Sequence, residues 1–383
     1  MGDLYLDSTA TTKPTELAIS SFVNVNTNNW YNPNATMSEG GIEARRIIEH
    51  SRESIAYGIH AKPEQIIFTS GSTEGANMII KGFIPRGHEK DYGIICSVIE
   101  HPAVWETCKY MGSCGVDLWC LDVDEWGQVL LDPLKYDLEA LKSKKRILVC
   151  IMDSNNETGV LQRTMEIEEI VHEYPNAYLF TDMTQSYAHA EVIEADTLGY
   201  DFACASAQKF GGLKGVGFVY AKDPSLLTPL IHGGGQEDGL RSGTENVGGI
   251  YSMAHQFDMV CNARKNGDLK YIRTLRNKLE EDLLHNFNKC MLLTPEDCAL
   301  PNIVSVCFPG HDANQIVTML ELQGIQVSAG SACHTGENEP SRVLKAIGLT
   351  DDEARSTIRI SLSSEVSRTD IDRFITVLKG VMV

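Results

Sequence analysis

Six short apolar runs constrain this chain more than any other feature. They lie at residues 65–70 (QIIFTS), 93–99 (GIICSVI), 147–152 (ILVCIM), 178–181 (YLFT), 201–205 (DFACA) and 215–221 (GVGFVYA). Most lead into glycine or small polar residues and then a helix-like pattern. Continuous apolar strands that alternate with helices predict a buried, mostly parallel sheet covered on both faces, the α/β class. The polar residues gather after the strands, at their C-terminal ends, which is the edge where open α/β sheets bind ligands.

Beyond about residue 260 the texture changes. Residues 271–286 have helical periodicity with mixed charge. Shorter elements follow at 302–308 (NIVSVCF), 314–322, 326–328, 341–347 and 358–362. They predict a smaller α+β domain, residues 261–383, after a larger domain at 16–260. A length of 383 residues fits two domains.

The chain carries 33 Lys+Arg against 52 Asp+Glu, a net charge of -19. That surface repels phosphate backbones and anionic lipid, so no direct nucleic-acid or membrane binding is expected. The opening residues MGDLYLDSTATT lack the basic region and apolar core of a signal peptide, and no apolar stretch approaches the roughly 20 residues of a membrane span. The expected location is cytoplasmic. The eleven cysteines form no C-x-x-C pair, so zinc and iron–sulfur spacings are missing and no metal is expected. In a reducing compartment most of them read as small buried hydrophobes.

Several segments carry chemistry, each with a plainer alternative. Residues 70–74 (SGSTE) join a strand to a helix and read as a phosphate site or an ordinary helix cap. Asp182 ends a strand with Gln185 three residues on, so it could pair with a protonated ring nitrogen or make a structural ion pair. Lys209 in SAQKFGGLKGVGF follows a buried strand, with Ser206 just before it and a glycine-rich turn after. A lysine in an apolar site has a lowered pKa and can form a Schiff base; a surface lysine is the alternative. His101 in EHP could stack on a flat cofactor or move protons, or be a loop residue. Three glycines at 233–235 permit close backbone approach or simply make a flexible loop. Cys333 in SAGSACHTGENEP lies among small and polar residues, unlike the other ten cysteines. An exposed loop thiol can do sulfur chemistry or be incidental. Arg359 alternates with apolar neighbours in a short strand and could clamp a carboxylate or make a surface ion pair.

Taken in order, YLDSTATT, FTSGSTEGAN, EHPAV, NNETGV, Asp182 with Gln185, SAQKFGGLKGVG, GGGQEDGLRSGTENV and SAGSAC resemble the cysteine desulfurases (NifS/IscS-like) of the class-V aminotransferase family. The likeness runs from Tyr5 to about Arg359. It implies the fold of type-I pyridoxal-phosphate enzymes, a mainly parallel seven-stranded sheet plus a smaller C-terminal domain. It implies an N-terminal segment, 1–15, associated with the small domain, and a mobile cysteine loop at about 328–340. Pyridoxal 5'-phosphate is the implied cofactor. Lys209 would carry it and Asp182 would face its ring nitrogen. His101 would lie on the ring, with Asn156 and Gln185 at the ring hydroxyl side. Ser72, Thr73 and Ser206 would take the phosphate. Thr244 would reach the phosphate of a neighbouring subunit, which implies a homodimer. Arg359 and Asn34 would bind substrate, and Cys333 would take sulfur from L-cysteine and pass it to an acceptor protein for iron–sulfur, tRNA or other thio-cofactor synthesis.

Three departures stand out. Gln208 occupies the place where the family usually has a histidine before the lysine, residues 32–37 read NPNATM without the usual histidine, and Ser363-Ser364-Glu365 follows the arginine strand. An amide cannot titrate, so a proton transfer assigned to that histidine falls elsewhere, with His101 as the candidate. A selenocysteine lyase or other lyase or aminotransferase on the same fold, and a weakly catalytic sulfur-carrier scaffold, are the competing readings.

Overall fold

The computed structural model describes residues 3–330 and 339–382. Its strands, in chain order, are β1 (Leu4–Tyr5), β2 (Ile66–Thr69), β3 (Tyr92–Ser97), β4 (Asp117–Leu121), β5 (Arg146–Cys150), β6 (Ala177–Asp182) and β7 (Phe202–Ser206). They continue with β8 (Gly217–Ala221), β9 (Met291–Leu292), β10 (Ile303–Cys307), β11 (Ile325–Gln326), β12 (Ser328–Ala329) and β13 (Thr357–Ser361). Seven of them form one sheet in the order β2-β8-β7-β6-β5-β3-β4. All neighbours are parallel except β8, which runs antiparallel to β2 and β7. The expected mainly parallel seven-stranded sheet is present.

Strand alternation explains why the runs looked continuously apolar. Ile95, Ile147, Val149, Leu179, Ala203 and Phe218 enter one core with the helices Glu39–Gly58 and Val247–Asn266. Ile94, Cys96, Leu148, Phe180, Phe202 and Val219 enter another, with the helices Ser72–Phe83 and Pro102–Ser113. Both faces are covered, so the alternating residues are mostly apolar on both sides of the sheet.

A second sheet, β12-β13-β10-β9, is antiparallel throughout. Its core joins Val304, Val306, Ile358 and Ile360 to helices Asp268–Asn286, Ala313–Glu321 and Arg368–Val381. Leu4 and Leu6 belong to this core, and β1 pairs in parallel with β11. The helix Val247–Asn266 runs through position 260 and ends at Gly267, where φ is +85. We propose Gly267 as the division between the two bodies. Among the described residues no helix is long and apolar enough to cross a membrane.

A short helix, Ser186–His189, follows β6. Both ring nitrogens of His189 are shut off from solvent without a hydrogen-bond partner. Burial, helped by the Arg264 charge, pulls its pKa down to about 4. The unfolded chain therefore takes up a proton near pH 6.5 that the folded chain refuses until about pH 4. Stability should fall as pH falls across that window, by about 1.4 kcal/mol per unit from this group. Urea unfolding at pH 6.5 and 4.5 checks it: His189→Leu should show a smaller loss than the unaltered chain.

Candidate active site

A cavity of about 340 Å³ opens at the C-terminal ends of the large sheet's strands, within the range of small-molecule sites. Its lining includes Ser72, Thr73, His101, Asn156, Asp182, Gln185, Ser206, Lys209 and Arg359. These come from parts of the chain up to 287 residues apart (359 less 72).

Each arrives by a short continuation of a strand. Asp182 is the last residue of β6 and is 7% exposed. Its Oδ1 accepts from Thr184 N at 2.9 Å and from the Thr184 hydroxyl. Thr184 Oγ1 in turn lies 2.7 Å from Ser72 Oγ. Ser206 ends β7, and the single 3-10 turn Ala207–Lys209 carries the lysine over the cavity. Lys209 Nζ donates to the carbonyls of Thr9 at 2.9 Å and Ala10 at 2.7 Å. The Thr9 carbonyl also accepts from Gln185 Nε2 at 3.1 Å.

The anion-binding character of the turn after β2 rests on the helix Ser72–Phe83. Its N-cap is Gly71, at φ +145, which offers no side-chain cap to the first-turn N–H groups. A Cβ at Gly71 would stand 3.1 Å from Ser206 Oγ, so the two hydroxyl-bearing strand ends approach this closely only around a glycine. Open N–H groups at a helix N-terminus, ringed by Ser72, Thr73 and Ser206, suit a phosphate.

His101 is the N-cap of the helix Pro102–Ser113, and its Nδ1 accepts from Ala103 N at 3.1 Å. That bond assigns the neutral ring with its proton on Nε2. Burial lowers the His101 pKa; Asp182 opposes the shift, while Lys209 and Arg342 add to it. Near neutral pH the ring is therefore held in its neutral form, a flat surface facing the cavity.

Arg359, in β13 and 4% exposed, reaches the same cavity from the second sheet. It donates to Asn156 O at 2.8 Å, Asp7 Oδ1 at 2.7 Å and Ser328 Oγ at 3.2 Å. Its Nε is buried without a partner.

Two expected residues stand apart. Thr244 is exposed and lines a neighbouring depression that shares Ser70 and Gly215 with this cavity. Asn34 does not line the cavity. It is exposed, donates to Glu245 Oε2 at 3.1 Å and accepts from Arg45 at 3.0 Å. Cys333 and most of the expected loop lie outside the described residues. Of the ten other cysteines, eight are buried or half-buried, but Cys114 and Cys120 are exposed, so exposure does not single out Cys333. Sequence reading gave no role to Thr9, Ala10, Thr184 or Glu74, all of which line the cavity, although each sits in or beside a segment with site chemistry.

The family model for class-V aminotransferases matches residues 4–374. The chain belongs to the class-V aminotransferase family. Within that family it falls among the cysteine desulfurases. It is 36% identical to cysteine desulfurase IscS of Dictyoglomus turgidum, over 99% of this chain and 94% of that protein. A solved NifS-like protein superposes with a TM-score of 0.91 at 32% identity, covering 99% of each chain. SspA in complex with cysteine superposes with a TM-score of 0.80 at 29% identity, over 94% of this chain and 98% of that one. As a member of this family, the chain has its fold-type I architecture in the two sheets described above.

Proposed function

We propose that this chain takes sulfur from L-cysteine and leaves L-alanine, using pyridoxal 5'-phosphate in the cavity and Cys333 as the first sulfur acceptor. The cysteine desulfurase relatives and the cysteine-bound SspA neighbour support the substrate. The observation that carries the reading is one cavity lined by an amine, a nearly buried carboxylate, a hydroxyl-rich helix N-terminus and an arginine.

That donor set fits the cofactor. When bound, pyridoxal phosphate supplies an aldehyde and an electron-withdrawing ring that makes the α-proton of an amino acid removable. Ser72, Thr73, Ser206 and the N–H groups behind Gly71 would hold its phosphate. Asp182, kept in place by Thr184, would keep the ring nitrogen protonated. The neutral ring of His101 would lie flat against it, with Asn156 and Gln185 toward its hydroxyl.

Lys209 would hold the aldehyde and, once released by substrate, take the α-proton at Nζ. The Thr9 and Ala10 carbonyls orient that nitrogen. Arg359 would clamp the substrate carboxylate, a bidentate role its planar fork suits. The chemical balance is simple: the substrate Cβ–S bond breaks, a bond forms between that sulfur and the Cys333 thiolate, and protonation of the carbon skeleton gives L-alanine. The persulfide then passes to an acceptor protein. Gln208, which also lines the cavity, cannot supply a proton in place of Lys209.

A homodimer is part of the proposal. Thr244 is exposed in the depression beside the cavity, from where it would serve the phosphate of a second copy. The test is direct. Purified holoenzyme with L-cysteine and a thiol reductant should release L-alanine and sulfide in equal amounts; cysteine consumed without alanine would overturn the assignment.

A further inference from the structure

Glu74 lines the cavity beside Ser72 and Thr73, where a bare carboxylate would repel a phosphate. It accepts from Ser70 N at 2.8 Å, so it is built into the turn. Arg241 answers its charge: Nε lies 2.8 Å from Oε1 and Nη2 3.3 Å from Oε2. The contact lowers the Glu74 pKa against the opposing effect of burial. Arg241 comes from the glycine-rich segment, just after a turn in which Glu237 and Asp238 hold φ of +49 and +51. Side chains other than glycine adopt that region at a cost, so something must hold the turn.

What holds it is a buried ion pair. Glu237 receives Arg52 Nη1 at 2.8 Å and Nη2 at 2.9 Å, and both residues are under a tenth exposed. The pair also binds the sheet. Arg52 Nη1 donates to Ile66 O at 2.7 Å, and Phe68 N donates to Glu237 Oε2 at 2.8 Å. β2 is an edge strand, and the carbonyl of one residue and the N–H two residues on point the same way. Arg52 and Glu237 thus take the hydrogen-bonding places of a missing eighth strand, two residues before the anion turn.

We propose that Arg241, braced by the Arg52–Glu237 pair, is a positioning residue of the anion cradle: it neutralises and holds Glu74 so that the turn at 70–73 accepts a phosphate. This rests on the cofactor reading above. A general packing role would affect any ligand of the cavity, whereas this role affects only one that carries the phosphate.

The experiment compares equilibrium binding of pyridoxal phosphate with binding of pyridoxal, which lacks the phosphate. Arg241→Gln should weaken pyridoxal phosphate at least about tenfold and leave pyridoxal within about twofold. Adding Glu74→Gln to that variant should restore most of the loss. Glu74→Gln alone keeps an acceptor for Ser70 N and should bind pyridoxal phosphate at least as well as the unaltered chain. That single variant decides the matter if Arg241→Gln does not fold. Equal losses for both aldehydes, no loss at all, or weaker pyridoxal phosphate binding by Glu74→Gln would each overturn the inference. An unaltered chain that bound neither aldehyde would overturn the cofactor reading with it.

Discussion

Lys209→Ala should lower L-alanine formation by about ten-thousandfold, the scale of losing both a covalent handle and a proton carrier. The reason is positional. Among the described residues that line the cavity, Lys209 supplies the only primary amine. Gln208 beside it is an amide, and His101 offers a ring whose Nδ1 already accepts a hydrogen bond. Arginine should not substitute, because a guanidinium neither condenses with an aldehyde as an amine does nor gives up its proton near neutral pH. The fold should survive: the lysine sits half-buried on a single turn, and its loss strands only the Ala10 carbonyl at the cavity wall, which water can reach, because the Thr9 carbonyl keeps its bond from Gln185. Alanine release under saturating L-cysteine, set beside a thermal unfolding curve, separates the two effects. A variant that folds and turns over at a tenth of the normal rate would refute the role.

Cys333→Ala should cut sulfur transfer by about a thousandfold or more, as loss of a nucleophile does, with the bound cofactor's yellow colour unchanged. No cysteine among the described residues lines the cavity. Cys204 comes nearest in contact terms, its Sγ 3.7 Å from Asp182 Oδ1, but it is fully buried and burial holds its thiol well above the usual range. Cys96, Cys108 and Cys150 are buried within the apolar layer, and burial raises the pKa of Cys96 and Cys150. A thiol that stays protonated is a weak nucleophile. Cys204→Ala is thus the control and should keep sulfur transfer. Alanine formed at the normal rate by Cys333→Ala would point instead to a lyase, which needs no protein thiol; colour without alanine in the unaltered chain would point to a carrier scaffold.

The architecture was legible in the sequence because its strands are buried on both faces. Continuous runs such as ILVC have no other comfortable place, and their downstream polar residues mark the cavity edge. β4 escaped although DLWCL is apolar in four of five residues: it is an edge strand whose Asp117 and Cys120 are exposed, and no site-like polar segment after it marks the run. The reversed direction of β8 left no trace in composition either, since an antiparallel strand in mid-sheet is as apolar as its neighbours. Asp182 and Lys209 were visible as polar residues ending buried runs. The supporting groups were not. Backbone carbonyls such as those of Thr9 and Ala10 carry no residue-type signal, and the pairing of Glu74 with Arg241 spans 167 residues.

The strip from Asp7 to Thr12 ties the molecule's beginning to its end. Asp7 pairs with Arg359 across 352 residues, Ser8 Oγ donates to Leu362 O across 354, and the next two carbonyls orient Lys209. On the ribosome the first of these is made long before its partners. A nascent chain lacking β13 therefore has its lysine in sequence but no finished pocket around it. Catalytic competence is a late event in biosynthesis, gained only when the final strand emerges and the leading residues, already waiting, close against it.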